Sequence, residues 1–170
     1  PNGLVAIGAS TFSGCSSLVS ITLPDSVLSI GDSAFAGCTS LRTVKLSAAL
    51  QTIGNSAFSG CTSMTSVSLP SSLILLGEHA FNGCTSLLSV TVPGSIKKIG
   101  DSAFYGCSKL ASVTLSEGVE VIGTSAFRGC SMLVVLSLPS TLTEIGGDAF
   151  RECATLTSVT IPAQVKTIRP

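Results

Sequence analysis

Charge is scarce in this sequence, and histidine, tyrosine and tryptophan are scarcer. Only 11% of the 170 residues are charged, with one histidine, one tyrosine and no tryptophan. Nine basic residues balance nine acidic ones, so the formal net charge is +0. Without a cationic excess the chain lacks the electrostatic footprint of a nucleic-acid or anionic-membrane binder. Hydrophobic residues make up 45% of the chain and mean hydropathy is +0.63. Even so, no apolar run reaches the ~18 residues of a membrane-spanning helix, and direct membrane insertion is not expected. No signal-peptide, transit-peptide or lipidation motif is visible. Neither G-x-x-x-x-G-K-[ST] nor G-x-G-x-x-G occurs, so no phosphate-cradling loop is expected. No two cysteines form the C-x₂-C pair common in zinc sites. We expect no cofactor and no metal.

What the sequence does have is a period. All seven phenylalanines (Phe12, Phe35, Phe58, Phe81, Phe104, Phe127, Phe150) fall 23 residues apart. All seven cysteines follow three residues later, at Cys15, Cys38, Cys61, Cys84, Cys107, Cys130 and Cys153. Glycine keeps the same beat from Gly8 to Gly146, and no insertion interrupts it. Self-similarity at a fixed period of this length marks a stacked-repeat architecture.

Residues 18–40 show one unit. Leu18, Ile21 and Leu23 alternate with Ser20 and Thr22, the period-2 pattern of a half-buried strand. Pro24 ends it, since proline cannot donate to a continuing ladder. Proline recurs there at Pro1, Pro70, Pro93, Pro139 and Pro162, with Ser47 and Ser116 as exceptions. Val27 and Ile30 precede a turn at Gly31. Asp32 occupies a helix N-cap phase shared by Asn55, Asp101 and Thr124. A short helical or 3₁₀ turn is expected over Ala34 and Phe35, closed by Gly37. Eight inward positions lie all round the coil, so one unit cannot bury them and stacking is required. At roughly 4.8 Å per parallel strand, seven coils give a stack roughly 35 Å long.

The string L-x-S-[IV]-x-L-P-x-x-[LV]-x-x-I-G-x-x-A-F-x-G-C spans the chain. It resembles the BspA-like subclass of leucine-rich repeats, with Leu87, Val90, Val92, Pro93, Ile96, Ile99, Gly100, Ala103, Phe104 and Cys107 carrying the motif. The resemblance implies a leucine-rich-repeat solenoid of the right-handed β/α superhelix class. It would be mostly β, with a parallel concave sheet and short helical or 3₁₀ turns and short strands on the convex side. It also implies a surface or secreted protein with roles in adhesion and protein binding, and no shared enzymatic activity. Met64, Leu76 and Glu152 depart from the string. Residues 1–170 read as one solenoid of seven repeats. Pro1 opens mid-unit and Arg169 stands where glycine belongs, so a fragment of a longer protein, or a subunit with covered ends, is expected.

Candidate sites are those the period does not explain. The cysteine ladder reads as buried structure, because parallel side chains keep neighbouring Cβ atoms beyond disulfide range. Such unpaired thiols fit an intracellular complex better than an oxidising compartment, whereas the family resemblance points to an extracellular or cell-surface location. His79, near Ser56, Ser102 and Asp101, could on paper form a catalytic triad, but a column of coils promises no pocket or oxyanion site. The chain therefore reads as non-enzymatic.

The strands should present a hydroxyl ladder on the concave face. One column is Ser20, Thr43, Ser66, Ser89, Ser112, Val135 and Ser158; the other is Thr22, Lys45, Ser68, Thr91, Thr114, Ser137 and Thr160. A solvated face is one reading, and glycan or ice binding is another. Candidate partner contacts are the exposed exceptions: Lys45, Leu88, Val134 and Val135; Leu28, Ile74 and Leu75; and Tyr105, Arg128 and Arg151, since tyrosine and arginine are favoured at hot spots. The functional expectation is a protein-binding or adhesion module whose partner is a host protein or a neighbouring subunit, with glycan possible. The alternative is a structural or scaffold subunit of a larger assembly.

Overall fold

The computed structural model describes residues 3–170; Pro1 lies outside the described residues. The chain winds as a β-solenoid of seven turns, with parallel strands throughout and no helix among the described residues. Its strands are β1 (Ala6–Ile7), β2 (Ser20–Thr22), β3 (Ser29–Ile30), β4 (Thr43–Lys45), β5 (Thr52–Ile53), β6 (Leu75–Leu76) and β7 (Ser89–Val92). They continue as β8 (Lys98–Ile99), β9 (Ser112–Leu115), β10 (Val121–Ile122), β11 (Val135–Ser137), β12 (Glu144–Ile145) and β13 (Thr167–Ile168).

The two-residue strands before the beat glycine form one unbroken sheet of eight, β1-β3-β5-β6-β8-β10-β12-β13. Its register advances by one period at each step, as in Ile7↔Ile30 and Ile122↔Ile145. The longer strands pair in parallel, as expected, but in two pieces. They form a pair, β2-β4, and a triplet, β7-β9-β11. The unit between them contributes no strand over residues 64–69, nor do the last residues of this phase, 156–161.

The expected helical turn at Phe35 is also absent, and the backbone shows why. Ser33 sits at φ 54° and Gly37 at φ 71°, so left-handed residues bracket Ala34 to Ala36 and no helix can propagate. Ser33, Phe35 and Gly37 instead donate their N–H groups to the carbonyls of Asn55, Ala57 and Ser59 in the next unit, at 2.8, 2.8 and 2.7 Å. The turns thus stack through hydrogen bonds of their own. Asp32 does not cap its own turn either: its Oδ1 accepts the N–H of Asn55 at 2.7 Å, and Asn55 Oδ1 accepts that of Glu78 at 2.9 Å.

The left-handed serine phase recurs at Ser10, Ser56, Ser102 and Ser125, with His79 and Asp148 in the same column. A non-glycine residue there costs about 1–2 kcal/mol, while glycine carries an entropic penalty of about 0.5–1 kcal/mol. Ser102→Gly should therefore raise stability by about 0.5–1 kcal/mol, read as a higher urea midpoint. A lower midpoint would show that the serine hydroxyl repays the strained backbone.

Phenylalanine builds the centre of the stack. Successive rings lie 5.1–5.7 Å apart, centroid to centroid, and are within 9° of parallel. Phe35, Phe58, Phe81, Phe104 and Phe127 are fully buried, whereas Phe12 and Phe150, with a ring on one side only, are half-buried. The inward positions read in the second unit hold for Leu23, Val27, Ile30, Ala34, Phe35 and Cys38. Leu18 and Ile21 remain partly open because the strand phase begins with β2.

Candidate functional site

The strands carry alternate side chains to opposite faces, and the outward rows are the regular surface of the molecule. Ser89, Ser112 and Val135 stand in register across β7, β9 and β11, as do Thr91, Thr114 and Ser137. Ser20 pairs with Thr43 and Thr22 with Lys45 across β2 and β4. Ser66, Ser68, Ser158 and Thr160 continue the columns but lie on no strand, so the ladder is two ordered blocks rather than one flat array.

The apolar exceptions are exposed. Leu88 is 53% exposed, Val134 56% and Val135 55%. Leu88, Ala111 and Val134 share a column one step before the first hydroxyl row, bonded through Ala111 N to Leu88 O at 2.9 Å and Val134 N to Ala111 O at 3.0 Å. With Val135 they make an apolar strip beside the triplet's hydroxyls. Val19, in the same column and 54% exposed, is a further apolar exception beyond those named from the sequence. Its phase was the available signal. Ile74 and Leu75 are exposed on the eight-stranded sheet, apart from that strip, and Leu28 in the column of Ile74 is half-buried.

Tyr105, Arg128 and Arg151 do fall in successive turns, but the structure largely occupies them. The Arg128 guanidinium lies 5.8 Å from the Tyr105 ring centroid and pairs with Glu152 at 3.1 Å and Asp148 at 3.5 Å. Arg151 reaches the same two carboxylates at 3.4 and 3.5 Å. Glu152 itself stands at φ 64° where the other units place glycine.

His79 is exposed, and its Nδ1 lies 3.1 Å from Asn82 Nδ2. No hydrogen bond joins it to the side chains of Ser56, Ser102 or Asp101. The Asp101 carboxylate instead accepts the Thr124 N–H at 3.2 Å and pairs with Lys98 at 3.5 Å. The triad is not assembled. Among the described residues no group of three His, Cys, Asp or Glu side chains is arranged to hold a metal ion.

The cysteines form a ladder of thiol donors. Each Sγ from Cys38 to Cys153 donates to the phenylalanine carbonyl 26 residues earlier, at 3.1–3.4 Å. Burial pushes the thiols up, reinforced by neighbouring cysteines, and carries Cys61 and Cys130 to about 12. Thiolate is the reactive form. On brief treatment of the native protein with iodoacetamide, Cys15 should alkylate, half-buried Cys153 more slowly, and the other five not at all; denaturant should expose all seven to mass-spectrometric detection. Uniform labelling would contradict the ladder. Above the ordinary thiol value of 9.0 the unfolded chain releases protons that the folded chain retains, so stability falls as pH rises from 9.0 toward 12.

A family model for the BspA-type leucine-rich repeat region matches residues 1–74 and 51–170, in six copies. The chain belongs to the BspA-type leucine-rich-repeat family. Solved structures agree. A leucine-rich repeat protein of T. pallidum is 39% identical, with TM-score 0.86, over 91% of this chain and 72% of that one. A leucine-rich repeat protein from Bacteroides ovatus is 33% identical, with TM-score 0.91, over 97% of this chain and 43% of that one. A leucine rich cell surface protein from Faecalibacterium prausnitzii is 31% identical, with TM-score 0.82, over 95% and 43% respectively. The chain thus spans less than half the length of the latter two. Comparison with curated protein sequences finds no match. Leucine-rich-repeat proteins are generally protein-interaction modules, and no helix among the described residues is long and apolar enough to cross a membrane.

Proposed function

We propose that this chain is a non-catalytic protein-binding module, acting in adhesion at a bacterial surface, and that its partner docks on the strand face. The observation that carries this is the strip of exposed Leu88, Val134 and Val135 with half-buried Ala111 between them, at the entrance to the paired strands β7, β9 and β11 and next to two rows of hydroxyls. Apolar residues exposed singly need no explanation, but a contiguous strip rimmed by polar groups is the usual form of a protein contact. The surface assignment draws on the Faecalibacterium relative, which is described as a cell surface protein.

The test compares the wild-type chain with Leu88→Asp/Val134→Asp/Val135→Asp as bait in the native source, read by mass spectrometry. Exposed substitutions each change stability by about 0.5 kcal/mol or less, so the melting temperature should hold while partner recovery falls at least tenfold. Unchanged recovery of the same proteins would place the contact elsewhere.

A further inference from the structure

Asn82 departs from the repeat in a way that brings its own chemistry. Its phase holds Ser13, Ala36, Ser59, Tyr105, Arg128 and Arg151 in the other units. Here alone an asparagine stands before the turn glycine, as Asn82-Gly83. Glycine is the following residue that least obstructs attack of its main-chain nitrogen on an asparagine side chain. Asn55 is followed by Ser56, whose side chain hinders that attack, and the pair Asn2-Gly3 begins outside the described residues.

The structure holds Asn82-Gly83 between two turns. Asn82 O accepts the N–H of Gly60 in the preceding turn at 2.7 Å, and Gly83 N donates to Tyr105 O in the following turn at 2.8 Å. The same pattern runs through the residues before it. Glu78 and Ala80 carbonyls accept from Ser56 and Phe58, and the N–H groups of His79 and Phe81 donate to Asp101 and Ala103, all at 2.8–2.9 Å. The side-chain amide is tethered as well, with Nδ2 3.1 Å from His79 Nδ1. Asn82 is half-buried. Both groups that would have to meet are therefore engaged elsewhere, and Gly83 N cannot close on the side chain until the two turns part.

We propose that Asn82 is a site of spontaneous deamidation, gated by separation of the turn of Phe81 from the turn of Phe104. Local openings of this kind occur in native proteins at free energies below that of global unfolding. Once Gly83 N leaves Tyr105 O, it attacks Asn82 Cγ and gives up its proton. The Cγ–Nδ2 bond breaks, Nδ2 departs as ammonia, and a succinimide ring closes. Water then opens the ring at either carbonyl, giving aspartate or isoaspartate. Isoaspartate is the disruptive product. It routes the main chain through the former side chain, which adds a carbon before Gly83 N, and it turns the carbonyl that served Gly60 into a free carboxylate. The stack contains no insertion, so no neighbouring turn offers a matching extra atom. The bonds to Gly60 and Tyr105 cannot then both re-form in register, and the lesion keeps a record that the middle of the solenoid has opened.

The test incubates the intact chain at neutral pH, folded and across a urea series, beside the capped peptide acetyl-Ala-Phe-Asn-Gly-Cys-Thr-amide. Peptide mapping by mass spectrometry follows Asn82 and separates aspartate from isoaspartate. In full denaturant Asn82 should react at the rate of the free peptide, and in the folded chain at least tenfold more slowly. Below the unfolding midpoint, its rate should rise in step with hydrogen exchange of the Gly83 amide. Asn82→Ser, the residue of two other units at this phase, should abolish the mass change and leave the urea midpoint unmoved. Chains isolated with isoaspartate should show faster amide exchange over residues 79–83 than unmodified chains. Reaction in the folded chain as fast as in the peptide would overturn the proposal. So would no reaction in denaturant, a rate that ignores Gly83 exchange, or isoaspartate chains with unaltered exchange.

Discussion

Phe81→Ala should cost the fold about 3–5 kcal/mol, the range for deleting a buried aromatic side chain. Phe81 is fully buried and stacked on both sides, with ring centroids 5.2 Å from Phe58 and 5.4 Å from Phe104. Removing the ring opens a cavity in the centre of the column and ends two aromatic contacts, each worth about 0.5–1.5 kcal/mol beyond the area it buries. A domain with about 5–15 kcal/mol in total loses a large part of its stability. Phe150→Ala, at a half-buried position with one ring neighbour, should cost about half as much. Urea midpoints and residue-level hydrogen exchange together measure the contrast. Equal costs at Phe81 and Phe150 would mean that the column is not the unit of stability.

The second large effect is expected at the beat glycine. A turn conformation is the expectation for these glycines, but none of those from Gly8 to Gly146 has a positive φ. They are required by proximity. A Cβ at Gly77 would lie 2.6 Å from Asn55 N and 2.6 Å from the Gly54 carbonyl carbon, both backbone atoms of the preceding turn. No rotamer change relieves that, so Gly77→Ala must spread two turns and strain the eight-stranded sheet at β6. Overpacking of this kind costs about 1–3 kcal/mol or more. Gly106→Ala is the control: nothing lies within 4 Å of its Cβ, but φ is +69°, and the left-handed backbone costs about 1–2 kcal/mol. Gly77→Ala should therefore be the more damaging, with lost exchange protection at β5 and β6. A mild effect at Gly77, below that at Gly106, would refute close approach as the reason for the glycine.

The period made most of the fold legible. Spacing alone located the phenylalanine column, the cysteine ladder, the strand phase and the residues that break the pattern. What escaped was set by contacts between turns, which no single unit displays. Asp32 has the chemistry of a helix cap and the phase of one, yet its carboxylate serves the next turn, because Ser33 adopts a left-handed backbone that no local rule assigns to serine. The break at 64–69 was equally hidden. Ser66-Val67-Ser68 differs from Ser89-Val90-Thr91 by a single hydroxyl side chain, although serine is a poorer strand former than threonine. At the candidate site, the exposure of Leu88, Val134 and Val135 followed from phase. The engagement of Arg128 with Tyr105, Asp148 and Glu152 did not, because it depends on side chains reaching across turns.

The unbroken register makes the length of this molecule an adjustable quantity. Every junction between turns repeats the same elements: a ring on a ring, a thiol on the preceding carbonyl, and glycine against backbone. Excising residues 78–100 joins Gly77 to Asp101 and leaves a junction of the kind already present between the other turns, with the Asp101 carboxylate still available to Thr124 N. A chain so built can gain or lose whole turns by unequal recombination at the nucleic-acid level without redesigning its interior. Natural variation in reach is then decoupled from variation in recognition, which resides in the few positions where the turns differ.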